Sequence, residues 1–153
     1  MVRRIVRLED TTSEMTIGKD LEGNVIEIPL TLLTHQQVGL AADAVGVKYT
    51  APYNILISAA MLKWAAAVYI EAHIEASHVD SVTDIELYDV TAALVRGAAS
   101  ANAGARVRSA DILAALVAGN EHTVRITVTT ASATAGATTG CRRASLIIVF
   151  AVE

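Results

Sequence analysis

Residues 68–90 read VYIEAHIEASHVDSVTDIELYDV, and this stretch decides the fold. From Val68 to Ser77 apolar and polar side chains alternate without exception, and the alternation resumes around Ile85 and Leu87. Successive side chains of a β-strand point to opposite faces of the sheet, so a period of two is typical of a half-buried strand. The stretch therefore predicts two strands, each with an apolar inner face and a polar outer face.

A helix is the alternative for residues 54–77, NILISAAMLKWAAAVYIEAHIEAS. The Ala, Leu, Met, Lys and Glu residues of this segment favour a helix, and Ser58 is of a type that caps a helix N-terminus. A helix would, however, turn His73 to its apolar side, whereas a strand keeps every polar residue on one face. We therefore expect a strand, with a helix over residues 58–77 as the alternative.

The N-terminal part of the chain predicts an edge element followed by a hairpin. Residues 3–12, RRIVRLEDTT, fit an edge strand or an extended arm that covers residues 1–12. Residues 14–33 fit a hairpin with an EGN turn, because Gly and Asn accept the positive φ that tight turns need. Pro29 lacks a backbone N–H, which predicts that the second strand of this hairpin is an edge strand or is interrupted there.

The C-terminal part predicts a short helical segment and two strands. Residues 109–120, SADILAALVAGN, fit one or two helical turns that Ser109 caps and Gly119 ends. Residues 122–133, HTVRITVTTASA, and residues 142–153, RRASLIIVFAVE, fit strands. The last strand is apolar on both faces, as a strand in the centre of a sandwich would be.

Several short strands separated by Gly-marked turns are typical of a β-sandwich or jelly roll. We therefore predict an all-β chain, a single jelly-roll or β-sandwich domain over residues 1–153 with an N-terminal arm or hairpin and at most short helices. The predicted core consists of Val68, Ile70, Ile74, Ile85, Leu87, Val124, Ile126, Val128, Ile147, Val149 and Val152.

The composition limits the classes of function. Hydrophobic residues make up 53% of the 153 residues and charged residues 18%, which excludes disorder for most of the chain. Aromatic residues are only 4%, so the apolar content is mainly aliphatic. The excess fits either a well-filled core or apolar surface that neighbouring subunits bury. The net charge of −4 does not steer the whole molecule towards nucleic acid.

The sequence contains no run of about 18 uncharged apolar residues, so we expect no membrane-spanning helix. The start, MVRRIVRLEDTT, has basic residues but no apolar segment behind them, so no secretory signal is expected. A protein of this kind that works outside a cell would leave by another route, for example in a virus particle. The single Cys141 excludes an internal disulfide.

Part of the sequence resembles a known kind of module. LYDVT at residues 87–91 is followed by GNEHTVRITV at residues 119–128 and by RRASLIIVFAV at residues 142–152. Over residues 53–153 this succession resembles the jelly-roll-type β-sandwich modules of virion components, tail and fibre proteins and secreted structural proteins of thermophiles. The resemblance implies a structural or adhesive role without catalysis, and it carries over no functional residues.

The polar row of the opening stretch is the first candidate site. If the two strands formed one hairpin, His73 would lie opposite Glu86 or Tyr88, and Glu75 would lie opposite another acidic residue. Facing carboxylates repel each other unless a cation held by Glu71, His73, Glu75 and Glu86, basic residues of a neighbouring subunit, or water compensates. Calcium or zinc would suit these ligands, but their spacing matches no metal motif. We expect a solvated face without a metal.

Two further groups of residues are candidates. Tyr69 and Tyr88 on one face would make a small aromatic platform for a sugar or a contact for a subunit. Cys141 lies beside two arginines, which would favour a thiolate, but no base is placed beside it by the sequence. A small residue in a turn or at the start of a strand is therefore the expected role of Cys141.

Arg3, Arg4 and Arg7 form a basic cluster at the N-terminus. Phosphate contacts need positive charge and reach, so an arm of this kind could touch nucleic acid inside a capsid. Glu9 and Asp10 follow at once, and a solvated or subunit-bridging arm is the interpretation that we favour.

These observations predict a structural protein that assembles with itself, as a subunit of a virus capsid, virion or fibre. The expected location is a virion or an extracellular assembly, and neither a cofactor nor catalysis is expected. The alternative is a carbohydrate- or receptor-binding β-sandwich module, with the acidic row and the two tyrosines as its contact face.

Overall fold

Eleven strands and two short helical segments form in the part of the chain that the computed structural model describes, which is residues 4–6, 15–17, 25–39, 47–116 and 119–151. The strands are β1 Arg4–Val6, β2 Met15–Ile17, β3 Val25–Gly39, β4 Val47–Thr50, β5 Ile55–Ile57, β6 Ala65–Ala76, β7 Val82–Asp89, β8 Leu94–Asn102, β9 Ala105–Arg108, β10 His122–Ala131 and β11 Thr138–Ala151. The helical segments are α1 Ala59–Lys63 and a 3-10 turn at Leu113–Ala115.

Two antiparallel sheets make up a sandwich. The four-stranded sheet has the order β3-β11-β6-β9, and the five-stranded sheet has the order β4-β10-β7-β8 with β5 also paired to β10. Counted along the chain from β3 and without β5, the strands run 1-8-3-6 in one sheet and 2-7-4-5 in the other. This is the order of a jelly roll, so the predicted all-β jelly-roll sandwich is confirmed.

The core lies between the inner faces of the two sheets. Eight of the predicted core residues are fully buried there, namely Val68, Ile70, Ile74, Ile85, Leu87, Val124, Ile126 and Val128. On β11 the predicted facing is wrong, because Leu146, Ile148 and Phe150 pack into the core. Ile147 and Val149 are buried on the outer side of the same strand, and Val152 lies outside the described residues.

The strands of the opening stretch do not pair with each other. β6 lies between β11 and β9, whereas β7 lies between β10 and β8 in the other sheet. Residues 77–81 carry the chain from one sheet to the other. Each strand has one apolar face, and a sandwich buries two such faces against each other. The predicted pairing of His73 with Glu86 or Tyr88 is therefore wrong.

Both interpretations of residues 54–77 hold for a part of the segment. Ser58 caps α1, and its Oγ accepts a hydrogen bond from the backbone N–H of Met61 at 3.3 Å. The helix ends at Lys63, and β6 follows from Ala65 with the alternating burial that the sequence predicts. The helix-forming residues before the strand thus make only five helical residues.

The predicted hairpin of residues 14–33 is not formed. β2 pairs with β1, with Arg4 opposite Ile17, whereas β3 pairs with β11 in the four-stranded sheet. Pro29 lies in β3, which is an edge strand as predicted. The other residues of the predicted arm lie outside the described part, so the arm stays a prediction.

Residues 109–112 run along β6 beyond the end of β9. The backbone N–H of Ile70 donates to Ser109 Oγ at 2.9 Å, and the N–H of Val68 donates to Asp111 Oδ1 at 2.9 Å. Ser109 therefore accepts a hydrogen bond from the backbone of β6 and does not cap a helix, which corrects the prediction. A single 3-10 turn follows, and no helix among the described residues is long and apolar enough to cross a membrane.

Candidate functional site

The outer face of the four-stranded sheet carries rows of polar side chains across three strands. Arg106 on β9 lies opposite His73 on β6, which lies opposite Arg143 on β11. In the next row Glu71 lies between Arg108 and Ser145. Residues that face each other across strands lie about 5 Å apart, so these groups form one continuous polar surface.

Arg108 links two carboxylates across this surface. Its Nη1 lies 2.8 Å from Glu27 Oε1, and its Nη2 lies 2.7 Å from Glu71 Oε2. Arg106 Nη2 contacts the other oxygen of Glu71 at 2.9 Å. The Arg108 guanidinium also lies 5.4 Å from the centre of the Tyr69 ring, within the range of a cation–π contact.

These contacts change the pKa values of the groups that make them. The hydrogen bonds from Arg108 hold the pKa of Glu27 and of Glu71 below the ordinary value, although partial burial opposes the shift. The same two carboxylates raise the pKa of Arg108. Both carboxylates are therefore ionised at neutral pH, and the network is a fixed set of charges.

Arg143 differs from its neighbours because, within the described part of the chain, only hydroxyl groups accept its hydrogen bonds. Its Nη2 donates to Thr31 Oγ1 at 3.2 Å, and its Nε donates to Ser145 Oγ at 3.3 Å. No carboxylate of the described residues forms an ion pair with it. The adjacent Arg142, by contrast, pairs with Glu75, with 2.7 Å between Nη1 and Oε1. A β-bulge between Cys141 and Arg143 lets both arginines face outward.

These side chains surround a groove, here called the outer groove, of about 600 Å³. Its lining comprises Glu27, Pro29, Glu71, Ala72, His73, Arg106, Arg108, Arg143, Ser145 and Ile147. The three guanidinium groups and two carboxylates of this lining add up to one positive charge. An open groove with surplus positive charge, hydroxyl groups and an apolar floor can hold an anionic ligand of small size.

The predicted acidic row is divided between two surfaces. Glu71, His73 and Glu75 lie along β6, but Glu86 lies on the outer face of the five-stranded sheet, on the opposite side of the sandwich. The four residues therefore do not form one cluster. Among the described residues, no group of three or more His, Cys, Asp and Glu side chains is arranged to hold a metal ion.

The charge of the β6 carboxylates is compensated by arginines of the same chain, which the sequence analysis did not consider. The segment ARVR at residues 105–108 could have indicated these arginines, since a period of two places Arg106 and Arg108 on one face of a strand. What the sequence could not supply was the position of β9 beside β6.

Tyr69 and Tyr88 do not form one platform, because they lie on the outer faces of different sheets. Each ring is instead covered by an arginine, with Arg125 lying 5.1 Å from the centre of the Tyr88 ring. Arg4 begins β1, whereas Arg3 and Arg7 lie outside the described residues.

Cys141 is fully buried in the core, opposite Ile74 of β6. Burial raises the pKa of its thiol to about 11, although a backbone hydrogen bond from Arg143 opposes the shift. The predicted effect of the neighbouring arginines on the thiolate is therefore wrong, because both guanidinium groups extend to the opposite face of the strand. Cys141 is the fourth residue of β11, inside the strand and not in the turn before it.

A buried polar cluster that the sequence analysis missed lies where β7 ends. Asp89 Oδ2 lies 2.7 Å from His122 Nδ1 and 2.8 Å from Arg96 Nη2. Asp89 Oδ1 accepts hydrogen bonds from the backbone N–H groups of Thr91 and Ala92, both at 3.0 Å. The cluster joins the ends of β7, β8 and β10 and fixes the turn between β7 and β8.

A second cluster contains the residue types of a hydrolytic triad but not its geometry. Asp80 Oδ1 accepts a hydrogen bond from Ser132 Oγ at 2.9 Å and lies 2.6 Å from His78 Nδ1. The serine hydroxyl therefore bonds to the carboxylate rather than to the imidazole that would activate it. Thr134 Oγ1 donates to the other oxygen of Asp80 at 2.7 Å. The cluster therefore joins the loop between β6 and β7 to the loop between β10 and β11.

No protein-family model matches the chain, and no curated protein matches it. Solved structures of infectious bursal disease virus are similar to it. A mutant VP2 protein in derived T=1 particles has a TM-score of 0.49 and 15% identity, over 94% of this chain and 35% of that chain. A VP2 subviral particle has a TM-score of 0.46 and 14% identity, over 95% and 41%. The chain spans less than half of the length of these structures.

Proposed function

We propose that this chain is a structural subunit that assembles with copies of itself, as part of a virus capsid, virion or fibre. The observation that carries the proposal is the unprotected edge strand β8. It ends the five-stranded sheet, and no other strand of the described residues lies beyond it. Such an edge presents free N–H and C=O groups to which a strand of another chain can pair.

The composition of β8 supports this interpretation. Proteins that remain monomeric protect long edge strands with exposed charges, prolines or inward-pointing lysines. In β8 the exposed side chains are those of Leu94, Val95, Ala98, Ser100 and Asn102, none of them charged. The one charged residue, Arg96, points away from solvent to Asp89, and its side chain is 14% exposed. An edge strand of nine residues, whose exposed side chains are all uncharged, is therefore available for a contact between subunits.

The scaffold is compatible with this role. Jelly rolls recur in viral capsid and lectin domains, but a fold alone does not determine function. The two polar clusters with His and Asp serve as structural anchors. In the Asp80 cluster both hydroxyl groups donate to the carboxylate, Ser132 Oγ at 2.9 Å and Thr134 Oγ1 at 2.7 Å, although Thr134 Oγ1 also lies 3.2 Å from His78 Nδ1. We therefore propose a role in assembly without catalysis, in a virion or an extracellular structure.

The test compares the solution mass of the chain with that of a charged edge variant. Val95→Lys with Ala98→Lys places two charges on the outer face of β8, whereas Ala135→Lys adds a charge in an exposed turn as the control. Light scattering should give a multiple of the chain mass for the unmodified protein and the control, and a smaller mass for the double variant. An unchanged mass for a folded double variant would exclude β8 as the contact.

A carbohydrate- or receptor-binding module is the second proposed function, and the outer groove is the observation that favours it. The two functions are compatible, because β8 and the outer groove belong to different sheets.

A further inference from the structure

We propose that the outer groove binds a sugar that carries one anionic group, a carboxylate or a sulfate. The inference specifies the ligand class of the second function above and does not depend on assembly. It rests on the row Arg106, His73 and Arg143, on the carboxylates beside that row, and on the apolar residues of the groove floor.

The anionic group is recognised by the row of nitrogen-bearing side chains. Adjacent strands lie about 4.8 Å apart, so Arg106 and Arg143 flank His73 at about 10 Å from each other. An oxyanion above His73 would accept hydrogen bonds from both guanidinium groups once Arg106 turns from Glu71 and Arg143 turns from Thr31. A guanidinium forms its strongest hydrogen bonds with an ionised, bidentate acceptor. Among the described residues, Arg143 bonds only to the hydroxyls of Thr31 and Ser145.

The rest of the groove suits the uncharged part of a sugar. Glu27 and Glu71 are ionised acceptors, which can accept hydrogen bonds from sugar hydroxyls. Pro29 is exposed and lines the groove opposite the buried Ile147, so the Pro29 ring offers an apolar surface to the C–H face of a sugar ring. A volume of about 600 Å³ lies within the range of small-molecule sites.

The same charges disfavour a nucleic acid or another uniform polyanion. The outer groove has a surplus of one positive charge, and its two carboxylates would face successive phosphates of such a chain. A sugar with one anionic group places negative charge only beside the row and presents hydroxyl groups to the carboxylates. The charge pattern thus favours a ligand with one anionic group and several hydroxyl groups over a uniformly charged one.

The test measures binding of matched sugars by saturation-transfer NMR and calorimetry. The probes are 3′-sialyllactose and 3′-sulfolactose, with lactose as the neutral control and a short oligonucleotide as the polyanion. The unmodified chain should bind one or both acidic sugars saturably and should bind lactose at least tenfold more weakly. Tighter binding of 3′-sialyllactose would indicate a carboxylate ligand, and tighter binding of 3′-sulfolactose would indicate a sulfate ligand.

Two neighbouring arginines provide the matched variants. Arg143→Ala should weaken binding of the acidic sugar at least tenfold, because it removes a guanidinium of the row. Arg142→Ala should leave binding unchanged, because Arg142 pairs with Glu75 and does not line the groove. Both side chains are exposed, so both variants should keep the circular dichroism spectrum of the unmodified chain.

Three results would overturn the inference, namely no saturable binding of either acidic sugar, equal binding of lactose, or equal losses in the two variants. Preference for the oligonucleotide would also overturn it. Because the readout is ligand binding and not mass, failure here leaves the assembly test unaffected.

Discussion

Asp89 and His122 are joined by a 2.7 Å contact between Oδ2 and Nδ1 in a place where both side chains are at most 3% exposed. Arg96 completes the cluster with a hydrogen bond from Nε to the same carboxylate oxygen at 2.9 Å, and it also donates to the carbonyl oxygen of Ala115 at 2.9 Å. Three strands and the 3-10 turn are thus tied to one carboxylate. The integrity of this end of the sandwich depends on the charge of Asp89.

Replacing Asp89 by Asn should lower the free energy of unfolding by about 3 to 5 kcal/mol, because the substitution leaves the Arg96 guanidinium buried without its counter-charge. Asp84→Asn is the control, since Asp84 lies on the outer face of the same strand and should change stability by less than about 0.5 kcal/mol. Urea denaturation followed by circular dichroism measures both. Equal, small effects would show that the cluster does not stabilise the fold.

The same carboxylate should make stability depend on pH under acidic conditions. Burial alone raises the pKa of Asp89, but hydrogen bonds from Ala92, His122 and Arg96 outweigh it and lower the pKa from 3.8 to about 2. A lowered pKa in the folded state contributes stability that is complete above pH 3.8 and is lost as the pH falls through about 2. The contribution is about 2 to 3 kcal/mol. The stability difference between the unmodified chain and Asp89→Asn should therefore shrink between pH 4 and pH 2 in urea titrations, and a constant difference would contradict this.

Gly97 is required by close packing against the segment after β9. A Cβ atom at this position would overlap Cγ2 of Ile112 and lie 3.2 Å from its Cβ. Gly97→Ala should therefore cost about 1 to 3 kcal/mol through overpacking. Ile112→Ala removes the overlapping atom, so the double variant should be more stable than the sum of the two single effects by about 1 kcal/mol or more. Additive effects in urea denaturation would contradict the packing argument.

Cys141 should not react with a thiol reagent while the chain is folded, because it is fully buried and burial raises the pKa of its thiol to about 11. Ala135→Cys introduces a cysteine in an exposed turn and serves as the control. With Ellman's reagent at pH 8, one thiol should react rapidly in the control and none in the unmodified chain until urea is added. Rapid labelling of the unmodified chain would show that Cys141 is accessible.

Arg108 should contribute more to stability than Arg106. Arg108 contacts two carboxylates and the Tyr69 ring, and its side chain is 37% exposed, whereas Arg106 contacts one carboxylate and is 76% exposed. Solvent screening reduces the energy of each contact. We therefore expect the free energy of unfolding to fall by about 1 to 2 kcal/mol for Arg108→Ala and by less than about 1 kcal/mol for Arg106→Ala. Thermal unfolding of both variants tests the order, and the reverse order would contradict it.

Local pattern was sufficient for the fold class because alternation is a property of each strand by itself. Residues 65–76 and 82–89 show the period of two that the sequence displays, and Ser58 caps a helix as its residue type suggests. Pro29 lies in an edge strand because a missing N–H is tolerated there. These features depend on neighbours in the chain and not on distant contacts.

Strand pairing could not be predicted, because it depends on which distant segments meet. Glu71 and Glu86 look equivalent in the sequence, yet β6 and β7 belong to different sheets. The outer groove draws residues from β3, β6, β9 and β11, which are far apart in the chain. The buried cluster of Asp89, Arg96 and His122 was missed for the same reason, since nothing in their spacing brings them together.

Assembly through contacts between copies of the chain is the central claim, and the solution mass of the unmodified protein tests it most directly. Light scattering coupled to size-exclusion chromatography should be recorded over a wide range of concentration. We predict a mass that is a multiple of the mass of the chain and that rises with concentration until the assembly is complete. A single species with the mass of one chain at every concentration would contradict the claim.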